Sequence, residues 1–277
     1  MKGKHLEGKV AWITGSSRGL GQAIALQLAQ AGAAVVIHGS TMNSSSYFGE
    51  GGSLAEVAES IAKETGSRAM YVAGDLTKEK NVQDAVRQIR EKFARIDILV
   101  NNAGGDTGSK GANSPNAGKI TEGNDAINLP YEEIRTILDR NLWTCICACK
   151  EVVPEMIERK SGSVINIGSL AGLFGFPNGA IYGTAKAAVH QYTRNLAAML
   201  RPYGVNANVV APGDTITPRF EASRPIDSER LNSYGSLVRY GKASEIGDAV
   251  EFLASSAAAH ITGHVLRVDG GQQIFAG

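Results

Sequence analysis

The sequence predicts an α/β fold, a parallel sheet of about seven strands with helices on both faces. Three observations carry this reading. Short apolar runs alternate with stretches of helical periodicity along the chain. The runs are apolar at successive positions, as in strands buried on both faces. Helix-length stretches separate them, as the crossovers between parallel strands require.

The elements follow in order. Val10, Ala11, Trp12 and Ile13 form an apolar run that ends at Thr14-Gly15 and reads as a buried strand. Residues 21–31 place Ile24, Leu28 and Ala31 at helical spacing, and Gly32 stops the helix. Residues 34–37 read as a second strand, 54–65 as a helix, 69–72 as a strand and 81–93 as a helix. Residues 97–100 read as a strand that runs into Asn101-Asn102-Ala103-Gly104. Residues 131–158 read as one long helix that Pro154 kinks or ends. A strand over 163–167, a long helix over 180–200 and a strand over 206–210 follow, the last ending at Ala211-Pro212-Gly213. Residues 243–253 are helical and 264–268 form the last strand. Crossovers are expected to be right-handed.

Three polar or glycine-rich stretches interrupt this alternation: residues 39–53, 105–130 and 214–240. All follow the C-terminal ends of strands, where open α/β sheets bind ligands. Loops this long in a compact domain are usually functional or disordered. No linker or repeat divides the chain, so residues 1–277 read as one domain, with 105–130 as a substrate loop and 214–240 as a lid.

Composition narrows the function. A chain with 43% hydrophobic and 20% charged residues has the makings of a large globular core. Lysine plus arginine is 28 against 27 acids, a net charge of +1, which excludes a strongly basic nucleic-acid footprint. Residues 1–8 are polar and no run of 18 apolar residues exists, so neither a signal peptide nor a membrane span is expected. The expectation is a cytoplasmic protein acting on a small molecule, with no nucleic-acid or membrane partner.

Cys145, Cys147 and Cys149 are too closely clustered for a disulfide framework. On a helix, positions 145 and 149 share a face while 147 points elsewhere, so the three thiolates do not converge on one ion. Small apolar packing is the expectation for them. The five histidines (His5, His38, His190, His260 and His264) show no ligand spacing and read as structural or surface groups, with His38 alone at the end of the second strand. No metal is expected.

Thr14-Gly15-Ser16-Ser17-Arg18-Gly19-Leu20-Gly21 lies between a strand and a helix. Glycines let the backbone approach a pyrophosphate, and free N–H groups at a helix start favour the anion. The spacing is Gly-x-x-x-Gly-x-Gly. A dinucleotide site usually carries an acid at the end of the second strand, for the adenosine ribose. Here that stretch is His38-Gly39-Ser40-Thr41, without a carboxylate. Its absence leans towards NADP(H) over NAD(H), with Arg18 placed to pair with a 2′-phosphate and Ser40 beside it.

Tyr182 and Lys186 lie four apart on a predicted helix and share a face. A tyrosine that exchanges protons near neutral pH must come down from a pKa near 10, by about 3–4 kcal/mol of differential stabilisation. A lysine ammonium alongside favours the phenolate. Ser169 follows the strand over 163–167, placed to hydrogen-bond a substrate oxygen. Asn141 lies inside a helix, a poor place for asparagine on propensity alone.

Thr14-Gly15-x-x-x-Gly19-x-Gly21, Asn101-Asn102-Ala103-Gly104, Ser169, Tyr182-x-x-x-Lys186 and Pro212-Gly213 stand in the order and spacing of the short-chain dehydrogenase/reductase family. The resemblance covers nearly the whole chain, to Val268-Asp269-Gly270-Gly271, and implies a single doubly wound domain of Rossmann type. It implies hydride transfer between a nicotinamide dinucleotide and a CH–OH or C=O group. Tyr182 would exchange the proton, Lys186 would tune Tyr182 and bind the nicotinamide ribose, and Ser169 would orient the substrate. Asn141 would position a water linking Lys186 to solvent. The cofactor would be held by Gly15, Ser17, Arg18, Gly19, Leu20 and Gly21 of the turn, and by Ser40. Asp75, Leu76 and Asn102 would line its adenosine side. Ala103, Gly104, Tyr182, Pro212, Gly213 and Thr215 would also bind it, and Thr217 would contact the carboxamide. The resemblance also implies a homotetramer (or homodimer), with the helices of Asn141 and Tyr182 at one interface.

The loop over 105–130 holds Asp106, Thr107, Ser109, Lys110, Asn113, Ser114, Asn116 and Asn124 with few apolar groups. A site that reads several hydroxyls needs such partners. This favours a sugar, polyol or sugar acid as substrate. In the lid, Asp214, Glu221, Asp227 and Glu229 equal Arg219, Arg224, Arg230 and Arg239 in number, so net charge predicts no anionic substrate. Arg219 and Arg224 still have the chemistry to grip a carboxylate. Two alternatives stand. One is a 3-oxoacyl thioester (acyl carrier protein) reductase, since such members of the family share the Thr-Gly-x-Ser-Arg-Gly turn. The other is a non-catalytic nucleotide-binding regulator, against which Tyr182 and Lys186 together argue.

Overall fold

The computed structural model describes residues 3–233 and 235–274. Parts of the N-terminal and lid readings, at residues 1–2 and Tyr234, lie outside the described residues, as does 275–277. The first half contains β1 (Val10–Ile13), α1 (Gly19–Gln30), β2 (Ala34–Gly39), α2 (Leu54–Thr65), β3 (Ala69–Ala73), α3 (Glu79–Phe93) and β4 (Ile98–Asn101). The second half contains α4 (Tyr131–Leu138), α5 (Thr144–Arg159), β5 (Gly162–Ile167), α6 (Ala180–Leu200) and β6 (Val205–Pro212). It continues with β7 (Thr215–Ile216), α7 (Pro218–Ala222), α8 (Ser228–Asn232), β8 (Gly241–Lys242), α9 (Ala243–Ala254) and β9 (Val265–Val268).

Seven strands form one parallel sheet in the order β3-β2-β1-β4-β5-β6-β9. The strand alternation explains the two apolar layers. Trp12, Val36, Leu99 and Val164 face α3, α5 and α6, through Val86, Ile89, Val152, Met156 and Leu200. Ile13, Val35, Ile37, Val100 and Ile165 face α1, α2 and α9, through Ile24, Leu28, Ile61, Ile246 and Val250. Burial on both faces is why β1, β2 and β4 read as continuous apolar runs, whereas the edge strands β3 and β9 are only partly buried. The chain order reverses between β1 and β4, which opens a crevice beyond the carboxyl ends of those strands. Among the described residues no helix is long and apolar enough to cross a membrane.

One element departs from the sequence reading. The helix over 131–158 is not ended by Pro154, but runs to Arg159. Pro154 sits on the exposed face, where water can replace the missing hydrogen bond. The break comes earlier, as a π turn over Asp139–Trp143 between α4 and α5. Its cause is local. The Asn141 side chain donates to the Ile137 carbonyl at 2.9 Å, taking an acceptor four residues back.

Candidate active site

A cleft of roughly 1220 Å³ lies over the carboxyl ends of β1, β2, β4, β5 and β6. Its floor on one side is the turn before α1. Gly15 has φ +63°, and a Cβ there would stand 2.8 Å from the Ala103 Cα, so only glycine lets the turn close on β4. Asn102 fixes the same junction, donating from Nδ2 to the Thr14 and Gly15 carbonyls at 3.0 and 2.9 Å. Thr14 Oγ1 accepts from the Asn102 and Ala103 amides, both at 3.0 Å.

His38 braces the turn from the other side. The Gly15 amide donates to Nδ1 at 2.9 Å. Nδ1 therefore carries no proton, and Nε2 donates to the Gly74 carbonyl at 2.9 Å. Burial holds this imidazole neutral, with its pKa pushed down to about 4.

The residue types of the turn fit a dinucleotide. The Gly19 amide opens α1 and donates to the Glu50 carboxylate at 2.8 Å, so an anion already sits on the helix start. The second Glu50 oxygen is buried without a hydrogen-bond partner among the described residues, and burial raises the Glu50 pKa. Glu50 comes from the 39–53 loop, which folds over the turn. Arg18 is also engaged there. Its guanidinium donates to the Ser44 carbonyl at 2.5 Å and lies 5.1 and 5.4 Å from the ring centroids of Tyr47 and Phe48. Ser17, Leu20, Gly21, Ser40, Asp75, Leu76, Asn102, Ala103 and Gly104 all line the cleft with it. Asp75 is itself occupied, accepting from the Thr77 amide at 3.0 Å and its hydroxyl at 2.8 Å.

Pro212, Gly213, Thr215 and Thr217 line the opposite wall. Thr217 caps α7, accepting from the Phe220 amide at 3.1 Å. Thr215 donates to the Gly213 carbonyl at 3.1 Å.

Ser169, Tyr182 and Lys186 meet in the middle of the cleft. The Tyr182 hydroxyl is hydrogen-bonded to Ser169, whose Oγ also accepts from the Ala171 amide at 3.1 Å. Lys186 Nζ lies 5.8 Å from the Tyr182 ring centroid and donates to the Ile167 carbonyl at 2.8 Å. Burial brings Lys186 down to about 8. Tyr182 goes the opposite way from the sequence expectation. Burial raises its pKa, while the Ser169 hydrogen bond, Arg219 and Arg224 oppose the rise. Desolvation of the phenolate outweighs the nearby cations.

Asn141 lies below this surface and is not among the cleft-lining residues. Its Oδ1 accepts from the Gly105 amide at 2.8 Å, and its Nδ2 donates to the Gly105 carbonyl at 3.1 Å as well as to Ile137. Its contacts thus go to the start of the substrate loop, not to Lys186.

Sequence reasoning missed three residues here. Glu50 and Lys119 face the cleft from loops without periodicity. His190, read as structural or surface, is buried beneath Ser169 and accepts from its amide at 3.4 Å. Burial holds His190 neutral, with a pKa pushed down to about 4. Its Nδ1 is buried without a partner among the described residues. The three cysteines are buried thiols on α5, where Asn101 Nδ2 donates to Cys149 at 3.3 Å.

Residues 9–227 match the family model for short chain dehydrogenase. A 3-oxoacyl-[acyl-carrier-protein] reductase of Synechocystis sp. is 35% identical over 271 residues, covering 98% of this chain and 99% of the relative. A cyclohexanol dehydrogenase of Rhodococcus sp. is 36% identical over 272 residues, covering 96% of each. The crystal structure of a proposed gluconate dehydrogenase from Agrobacterium tumefaciens is similar at a TM-score of 0.80 and 31% identity, over 98% of this chain and 99% of that one.

Proposed function

This chain belongs to the short-chain dehydrogenase family, and we propose that it moves hydride between NADP(H) and a polar secondary alcohol or its carbonyl, a sugar, polyol or sugar acid. At the coarser level it is an NAD(P)-dependent oxidoreductase acting on CH–OH and C=O groups. The observation that carries the reading is the Ser169–Tyr182–Lys186 cluster opening onto a polar wall built by Asp106, Thr107, Lys110 and Asn113.

The bound dinucleotide supplies the hydride donor or acceptor at its nicotinamide ring. The turn from Gly15 to Gly21 would hold its phosphates, and the Gly19 amide would join them once released from Glu50. Arg18 and Ser40 support the choice of NADP(H), since no carboxylate ends β2. Ser169 hydrogen-bonds the substrate oxygen. Tyr182 passes a proton to that oxygen in reduction and takes it in oxidation. Lys186, charged below about pH 8, supports the phenolate from beneath. Asn141 positions this machinery indirectly, through Gly105. Residues 1–277 act as one domain, and exposed Trp143 and Met199, beside or on the helices of Asn141 and Tyr182, support a homotetramer.

The test is a paired assay of reduced-nicotinamide absorbance. NADP⁺ reduction with polyols and aldonates is expected, with little NADPH loss on an acetoacetyl thioester. The reverse pattern supports the second reading, a 3-oxoacyl thioester reductase, which the similarity to the Synechocystis enzyme favours. Tight cofactor binding with no turnover of either class overturns both.

A further inference from the structure

The lid carries as many acids as arginines, but folding separates them. Asp214 is held by Arg230 at 2.8 Å. Asp227 caps α8, accepting from the Glu229 amide at 2.9 Å. Arg239 is paired with Glu245. Arg219 and Arg224 are left facing the cleft, and Lys119 joins them from the substrate loop, about a hundred residues earlier in the chain. All three are half-buried, and none is in an ion pair among the described residues.

Their geometry leaves donors free. Arg219 Nη2 donates to the Asp106 carbonyl at 2.9 Å and the Thr107 hydroxyl at 2.5 Å, both neutral partners. Arg224 stacks on Phe220, with its guanidinium carbon 4.0 Å from the ring centroid, and among the described residues it uses only Nε, towards Ser223 at 3.2 Å. Lys119 Nζ has no hydrogen-bond partner among the described residues. Asp106 and Asp214 are the acids that bear on Lys119, and Asp214 is already taken by Arg230. Glu221, on α7 between the two arginines, is exposed to water. Of the acids that bear on Lys119, Asp106 alone is outside an ion pair among the described residues. Mutual repulsion shows in Lys119, whose pKa is lowered by burial and then by Arg224. Cations held together in a half-desolvated wall are short of a counter-charge. Arg219 and Arg224 also bear electrostatically on the Tyr182 hydroxyl, so the cluster adjoins the reacting centre.

We propose that Lys119, Arg219 and Arg224 form an anion subsite that holds a carboxylate or phosphate carried by the substrate. Guanidinium forks match both groups bidentately, and the lysine adds a point charge. The proposal rests on the hydride-transfer reading of the cleft and narrows its substrate class to polar alcohols with an anionic end.

Titration calorimetry of the NADP⁺-loaded protein tests it with sorbitol, D-gluconate and sorbitol 6-phosphate. One of the two anions should bind at least tenfold more tightly than sorbitol. Gluconate in the lead identifies a carboxylate, sorbitol 6-phosphate a phosphate. Arg224→Gln and Lys119→Met should each remove most of that preference without weakening sorbitol, and Arg224→Lys should restore part of it. Equal binding of the three compounds, binding of none, or a preference that survives in both variants overturns the subsite. Selective anion binding without turnover of any alcohol leaves the subsite standing and removes the hydride-transfer reading.

Discussion

Asn141 holds both main-chain polar groups of Gly105, accepting from its N–H at 2.8 Å and donating to its C=O at 3.1 Å. The clamp joins the π turn in the helix to the first residue of the substrate loop. Gly104 beside it leaves no room for a side chain, since a Cβ would lie 2.5 Å from Asn141 Oδ1.

Asn141→Ala should therefore cost about 1–3 kcal/mol of stability, because it strands an N–H and a carbonyl in a partly buried place. Denaturant unfolding measures this. Turnover should fall as well, with the cofactor dissociation constant little changed, since the damage is to loop placement.

Tyr182→Phe keeps the ring and removes the hydroxyl proposed to exchange a proton with the substrate oxygen. Turnover should fall by about 10²–10⁴-fold. Fluorescence titration should show cofactor binding within a factor of two or so of the parent. Undiminished turnover would remove Tyr182 from the mechanism.

Glu50 holds the Gly19 amide, which the proposed phosphate site would use. Glu50→Gln replaces a charge-assisted hydrogen bond by a neutral one, a difference of about 1 kcal/mol. NADP(H) should then bind roughly fivefold more tightly. Unchanged affinity would mean that the carboxylate leaves the site at no cost.

His38 and His190 are both buried neutral, each with a folded pKa of about 4 against an ordinary value near 6.5. The unfolded chain takes up these protons first as pH falls. Their stabilising effect is full above about pH 6.5 and is lost progressively down to about pH 4, roughly 3 kcal/mol for each group. Unfolding free energies across that range should show the slope, and His38→Gln should flatten part of it.

The strands and main helices were legible because burial on both faces leaves an unbroken apolar run, and because Ile24 and Leu28 repeat at helical spacing. The π turn was not, since its cause is a side-chain bond from Asn141 to Ile137, and asparagine's poor helix propensity was its one trace. Glu50 is invisible for a similar reason. It lies 31 residues beyond the amide that it meets, and no local pattern encodes that pairing. Counting charges in the lid cannot show that Asp214 faces Arg230 while Arg219 turns to the cleft. The Tyr182 shift was misjudged because spacing reveals a neighbouring lysine and not the loss of water.

Arg219 reaches from the lid to Asp106 and Thr107, 113 and 112 residues away, and so stitches two separate segments into one wall. The two cannot be redesigned piecemeal. A lid transplanted from a relative arrives with side chains fitted to another loop, and the native loop then faces a guanidinium-sized gap. Changing what this protein accepts means exchanging residues 105–119 and 214–224 as a matched pair.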